Sequence, residues 1–166
     1  MVVGLSLSAF TLLHVLISLA GIGSGFVVLY GLLTSNRLSG WTAIFLTATV
    51  LTSVTGFMFP FEHLLPSHIV GGISLVVLAI GIAARYAFHL NGIWRGTYVV
   101  TAGLALYFNV FVAVVQAFAK IPALKAAAPT QKEAPFLVAQ LVVLILFVVL
   151  TMLANRKFRI RPVPAF

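Results

Sequence analysis

No ionised side chain precedes Arg37, so the chain runs thirty-six residues before its first formal charge. A helix folded in water carries polar or charged groups along its outer face, because that face stays hydrated. A chain that withholds charge for so long is solvated by hydrocarbon instead. The remainder repeats the pattern: the ten Lys and Arg and both Glu lie outside, or at the ends of, five apolar runs near 5–33, 41–59, 68–87, 97–118 and 135–155. Turn chemistry interrupts the runs at Ser35-Asn36 with Ser39-Gly40, at Pro60 with Pro66, at Asn91-Gly92 and from Pro122 to Pro135.

The runs are continuous rather than alternating and far exceed roughly ten residues, which excludes a closed β-barrel. At about 20 residues per span, 166 residues make one domain, 1–166, of five helices with no room for a soluble module. The fold class expected is all-α, an integral membrane bundle of five transmembrane helices. The first run lacks a basic leading region and is too long for a signal peptide's apolar core, so it is expected to persist as a helix. Cysteine is absent, which removes disulfides, thiolate chemistry and iron–sulfur ligation. The formal charge of +8 is confined to loops and tail with no aromatic-studded basic face, so nucleic acid is not an expected partner.

The Lys and Arg distribution gives a direction. One side receives Arg37, Arg85, Arg95, Arg156, Lys157, Arg159 and Arg161, and the other Lys120, Lys125 and Lys132, seven against three. That asymmetry predicts a cytoplasmic carboxyl terminus and an external amino terminus. Trp41, Trp94 and Tyr98 then belong to the cytoplasmic interface, and the 60–68 and 119–134 loops face outward.

Lipid tails are as apolar as leucine, so small and polar residues mark the faces where membrane helices meet. In the first run Thr11, His14, Ser18, Gly21 and Gly25 recur at spacings of 3, 4, 3 and 4, one narrow inward stripe. His68, Gly72, Ala79 and Ala83 suggest a similar stripe in the third run. Ala102, Ala105, Asn109 and Gln116 suggest one in the fourth. Threonines crowd the second run, but each can bond its own preceding turn and so says little about a ligand. The fifth run offers only Gln140 and reads as lipid-facing or partner-facing.

His14, His68 and Gln116 are expected to line a polar pocket in the outer half of the bundle, with Asn109 near mid-membrane and Glu62 and His63 in the loop above. Polar groups at membrane depth are costly and mark candidate sites. Two imidazoles from different helices suit b-type haem, and His or Gln in an apolar slot suits a quinone, so His14, His68, Gln116 and Asn109 are candidate cofactor-binding residues for electron transfer. Glu62, His63 and His68 carry nitrogen and oxygen ligands suited to zinc or another transition metal, at the mouth of a small-solute or metal transporter. His14 appears one or two turns deeper than His68, which counts against haem. The third reading is structural: the same side chains join helices, and the protein is a non-catalytic accessory or assembly subunit, or a homo-oligomer, whose basic tail rests on anionic headgroups. This third reading is the preferred expectation.

Enzyme chemistry finds few reagents. The runs contain no Asp or Glu, so paired-carboxylate catalysis has no acid or base. Gly23-Ser24-Gly25 lacks the strand-to-helix setting of a nucleophile elbow. No phosphate-cradling glycine loop followed by Lys is present.

From Ser67-His68-Ile69, through the basic loop between Arg85 and Arg95, to Tyr107-Phe108-Asn109 and Lys120-Ile121-Pro122-Ala123-Leu124, about half the chain resembles a group of bacterial polytopic inner-membrane proteins. That resemblance implies a location in the bacterial inner membrane and no particular activity. The placement of the histidines also resembles that of small haem-b membrane anchors.

Overall fold

A computed structural model describes residues 4–60 and 66–159. It contains α1 (Leu7–Leu33), α2 (Ser39–Gly56), α3 (Pro66–Ile82) continuing into a π-helical turn (Ala83–Ala87), α4 (Ile93–Lys120), a short α5 (Pro122–Ala127) and α6 (Ala134–Lys157), with no strand among the described residues. The protein is all-helical. The five apolar runs correspond to α1, α2, α3 with its π turn, α4 and α6, and their ends agree to within a few residues.

Local chemistry accounts for the ends. Ser6 caps α1 by accepting the Ala9 N–H at 3.2 Å. After Leu33 the chain turns through Ser35 in the left-handed region, and the Asn36 N–H reaches back to the Gly31 carbonyl at 2.7 Å. Pro122 and Pro135 sit in the first turns of α5 and α6, where a missing N–H costs nothing. Beyond the π turn His89, Leu90 and Gly92 all take positive φ, which reverses the chain into α4.

Side-chain contacts at the two ends fix how the helices alternate. At one end Ser35 Oγ accepts the Arg159 N–H at 2.8 Å and donates to the Arg159 carbonyl at 2.9 Å, tying the end of α1 to the end of α6. There too the Arg85 guanidinium donates to the Arg37 carbonyl at 3.3 Å and to Ser39 Oγ at 3.2 Å, joining the end of α3 to the start of α2. Arg95, in the first turn of α4, donates to the carbonyls of Asn155 and Phe158 where α6 ends. At the opposite end His14 near the start of α1 meets Thr55 near the end of α2, Phe57 meets His68, and Phe118 meets Phe136. Thus α1, α3 and α6 run one way and α2 and α4 the other. The first end is called the basic end below, the second the histidine end.

Four helical segments, α1, His68–Ala87, α4 and α6, are long and apolar enough to cross a membrane. α2 has 18 residues, five of them threonine, and at about 1.5 Å per residue its reach falls just short of a hydrocarbon core about 30 Å thick. The surface is as greasy as the interior: α6 buries only 6% of its most apolar stretch, and Leu137, Leu141 and Ile145 lie exposed along it. All five long helices contribute to the core, among them Val28 of α1, Phe45 of α2, Leu78 of α3, Leu106 of α4 and Phe147 of α6. Close approach there depends on Gly25, where a Cβ would fall 2.5 Å from Leu106 Cδ1 and 2.9 Å from Phe45 Cε2.

The expected stripe on α1 turns inward, with Gly21 and Gly25 buried and His14 and Ser18 half-buried. That on α3 holds in part, with His68 buried and Gly72 and Ala83 half-buried. Ala79 faces outward, and the buried line runs through Ser74, Leu78 and Arg85 instead. A small residue is as much at home against lipid as in a seam, so alanines locate a face poorly. The 119–134 segment folds back on the bundle: Gln131 Nε2 donates to the Val115 carbonyl at 2.8 Å, and Ala128 is buried.

Candidate functional site

The last turn of α2 separates the two membrane histidines. On one side His14 Nδ1 lies 2.7 Å from Thr55 Oγ1. The Thr55 hydroxyl has one proton, and the Leu51 carbonyl, 2.7 Å from its oxygen in the preceding turn, is the acceptor we assign to it. Thr55 Oγ1 is therefore the acceptor and His14 Nδ1–H the donor, which leaves the lone pair on Nε2. The His14 ring stands edge-on to Phe59, centroids 5.2 Å apart, and Phe59 also meets Phe10. On the other side His68, 7% exposed, packs against Phe57 with centroids 5.6 Å apart.

Deeper in the bundle, Asn109 Nδ2 donates to Thr49 Oγ1 at 3.2 Å, both buried, where Gly21 of α1 leaves space for the pair. Ser53 and Ser74 join α2 to α3 at 3.5 Å. Gln140 Nε2 donates to the Phe111 carbonyl at 3.2 Å and joins α6 to α4. These polar groups form a ladder of helix-to-helix bonds in which α2 takes part at three levels.

The structure thus brings His14 and His68 to the same end of the bundle but on opposite flanks of α2, each with its own aromatic neighbour. Asn109 belongs to a different level and is engaged with Thr49. Gln116 is exposed: at its height Phe118 is held against Phe136 of α6, and Gln116 is turned to the outside. Glu62 and His63 lie outside the described residues. Among the described residues no three His, Asp or Glu side chains gather as a metal site would require.

A second polar cluster, at the basic end, was not singled out as a site from sequence. Arg85 is 8% exposed and sits in the π-helical turn, a geometry that often marks functional positions. Its guanidinium lies 5.2 Å from the centre of the Tyr98 ring and 5.7 Å from that of Tyr86. Tyr98 is fully buried, and its hydroxyl has Thr42 and Arg85 as polar neighbours, although neither meets full hydrogen-bond geometry. Sequence placed Tyr98 at the water interface; here it is core. The signal available was one arginine inside the end of an apolar run, which also fits a snorkelling side chain. Glu133 lies at the opposite end of the bundle. Among the described residues Arg85 is met by a carbonyl, a hydroxyl and two rings.

Outside the apolar segments, Glu133 closes the turn before α6. Its Oε1 accepts from the Thr130 N–H at 3.1 Å and the Thr130 hydroxyl at 2.8 Å, and Oε2 from the Lys132 N–H at 3.1 Å. Desolvation acts upward, but these bonds together outweigh it and hold the carboxyl below the ordinary carboxylate range. Compared with known protein families, curated proteins and solved structures, the chain matches none.

Proposed function

We propose that the protein is a five-span component of the bacterial inner membrane, amino terminus outside and basic end in the cytoplasm, that serves as a non-catalytic accessory or assembly subunit of a larger membrane complex. The observation that carries this reading is how the intramembrane polar groups are used. His14, Asn109, Ser53 and Gln140 are each bonded to a neighbouring helix, which is the structural use of such residues. α6, held mainly by α4, leaves most of its apolar surface uncovered and is the natural face for a partner helix. Passage of α2 through the bilayer is supported by its contacts at both ends, with Arg85 at its start and His14 at its end. The seven-to-three excess of Lys and Arg supports the orientation. The test is isolation of the tagged chain from its own membrane in mild detergent: a partner in fixed stoichiometry is the expected result, and a lone monomer rejects the reading.

One observation favours a redox alternative. A histidine whose Nδ1–H is anchored by a neighbour presents Nε2 as a ligand or acceptor, and His14 has that arrangement, with no bond to Nε2 among the described residues. Haem b, or a quinol donating its hydroxyl to Nε2, would use it. A reducible Soret band in the purified protein that vanishes in His14→Ala would establish haem. Co-extracted quinone detected by mass spectrometry and lost in the same variant would establish the other. A protein carrying neither would dismiss the alternative.

A further inference from the structure

We propose that the cleft between the first turn of α4 and the end of α6 binds the phosphate of an anionic phospholipid headgroup. It is an open cavity of about 520 Å³ lined by Leu90, Gly92, Arg95, Asn155, Arg156 and Arg159. Three guanidinium groups around one cleft repel one another unless an anion lies between them. Among the described residues none is supplied, since Glu133, the one described acid, stands at the histidine end. The lining is also held in place. Arg95 spends Nη1 on the carbonyls of Asn155 and Phe158, which leaves Nε and Nη2 without partners among the described residues. The backbone of Arg159 is clamped at both its N–H and its carbonyl by Ser35, and Phe158 beside it is fully buried. A pre-set guanidinium loses little freedom on meeting a phosphate and offers it paired donors.

Two further features sharpen the ligand. α4 begins at Gly92 with no side-chain cap and no acid in its first turn, so the positive end of its dipole is left uncompensated beside the arginines. Trp94, next to Arg95 in the chain, stacks flat on Phe88, centroids 3.9 Å apart, and tryptophan is enriched at headgroup level. A phosphodiester of a lipid and free inorganic phosphate share the chemistry the arginines recognise. The lipid is favoured because the exposed apolar surface of α6, through Leu153, Met152 and Val149, leads away from the cleft toward the hydrocarbon and suits an acyl chain.

The test uses the full chain in a neutral detergent at physiological salt, titrated with phosphatidylglycerol, with phosphatidylcholine and with inorganic phosphate, bound lipid being counted by native mass spectrometry. Arg156 and Arg159 have exposed side chains, so Arg156→Gln with Arg159→Gln leaves the fold intact, checked by circular dichroism. The expected result is saturable binding of one phosphatidylglycerol in preference to phosphatidylcholine, weakened about thirtyfold in the double variant. Lys157→Gln, on the same tail but outside the lining, should change binding by less than about threefold. Equal losses in Lys157→Gln and the double variant, or unsaturable binding, would overturn the site. Displacement of the lipid by millimolar inorganic phosphate would overturn the choice of lipid as its ligand.

Discussion

Asn109 and His14 each meet a threonine on α2, and the two bonds do different things. The Asn109–Thr49 bond is fully buried and costs an amide in hydrocarbon if lost. Asn109→Ala should destabilise the bundle by about 1 kcal/mol in a reversible unfolding titration from detergent into SDS, with Gln116→Ala near zero because that side chain is exposed. The His14–Thr55 bond instead selects a tautomer. Nitrogen-15 spectra of the His14 ring should show Nδ1 protonated and Nε2 pyridine-like, and Thr55→Val should erase that preference. The sequence identified both donors, because His and Asn stand out in an apolar run. Their acceptors were hidden, since one threonine among five cannot be distinguished from another by spacing alone. Arg85 was hidden differently: nothing in Ala83-Ala84-Arg85 announces the π turn that carries its side chain inward.

Among the helices, α1 was the most legible, because glycine in a helix costs stability and has to be offset by close packing. Gly25 and Gly23 test this directly. A Cβ at Gly25 would overlap two buried side chains, whereas at Gly23 it meets nothing within 4 Å. Gly25→Ala should cost about 1–3 kcal/mol in the same titration, and Gly23→Ala should be neutral or slightly stabilising. On α3 the stripe fails at Ala79, because an alanine does not distinguish a seam from a lipid face, and on α4 it fails at Gln116, because the inward face of that helix changes neighbours along its length. The turn into α6 carries a pH dependence. The Glu133 carboxyl is held below its ordinary range by hydrogen bonds made to its ionised form, so the order it gives is full above the unfolded-state pKa. That order should be lost as pH falls through the depressed folded value, read as faster amide exchange at Thr130 and Lys132. In Glu133→Gln the exchange should be fast throughout and show no such step.

Across the molecule, the all-helical class and the order of the long helices followed from charge-free length, and the ends followed from Ser, Gly, Asn and Pro; of the five spans expected, four described segments are long and apolar enough to cross a membrane. What sequence could not give was how α2 earns its place. It is short and rich in threonine, yet it meets α1, α3 and α4 through hydroxyl groups. A helix with that many hydroxyls is stable in a bilayer when its neighbours take up its polar groups. The bundle therefore depends on α2 passing between the basic and histidine ends in its interior. The chain has no cysteine, so single cysteines at Gly40 and Met58, both exposed at opposite ends of α2, can be labelled in intact cells with a membrane-impermeant maleimide. Met58→Cys should be labelled from outside, and Gly40→Cys only after the membrane is opened. Labelling of both from one side would contradict this passage of α2.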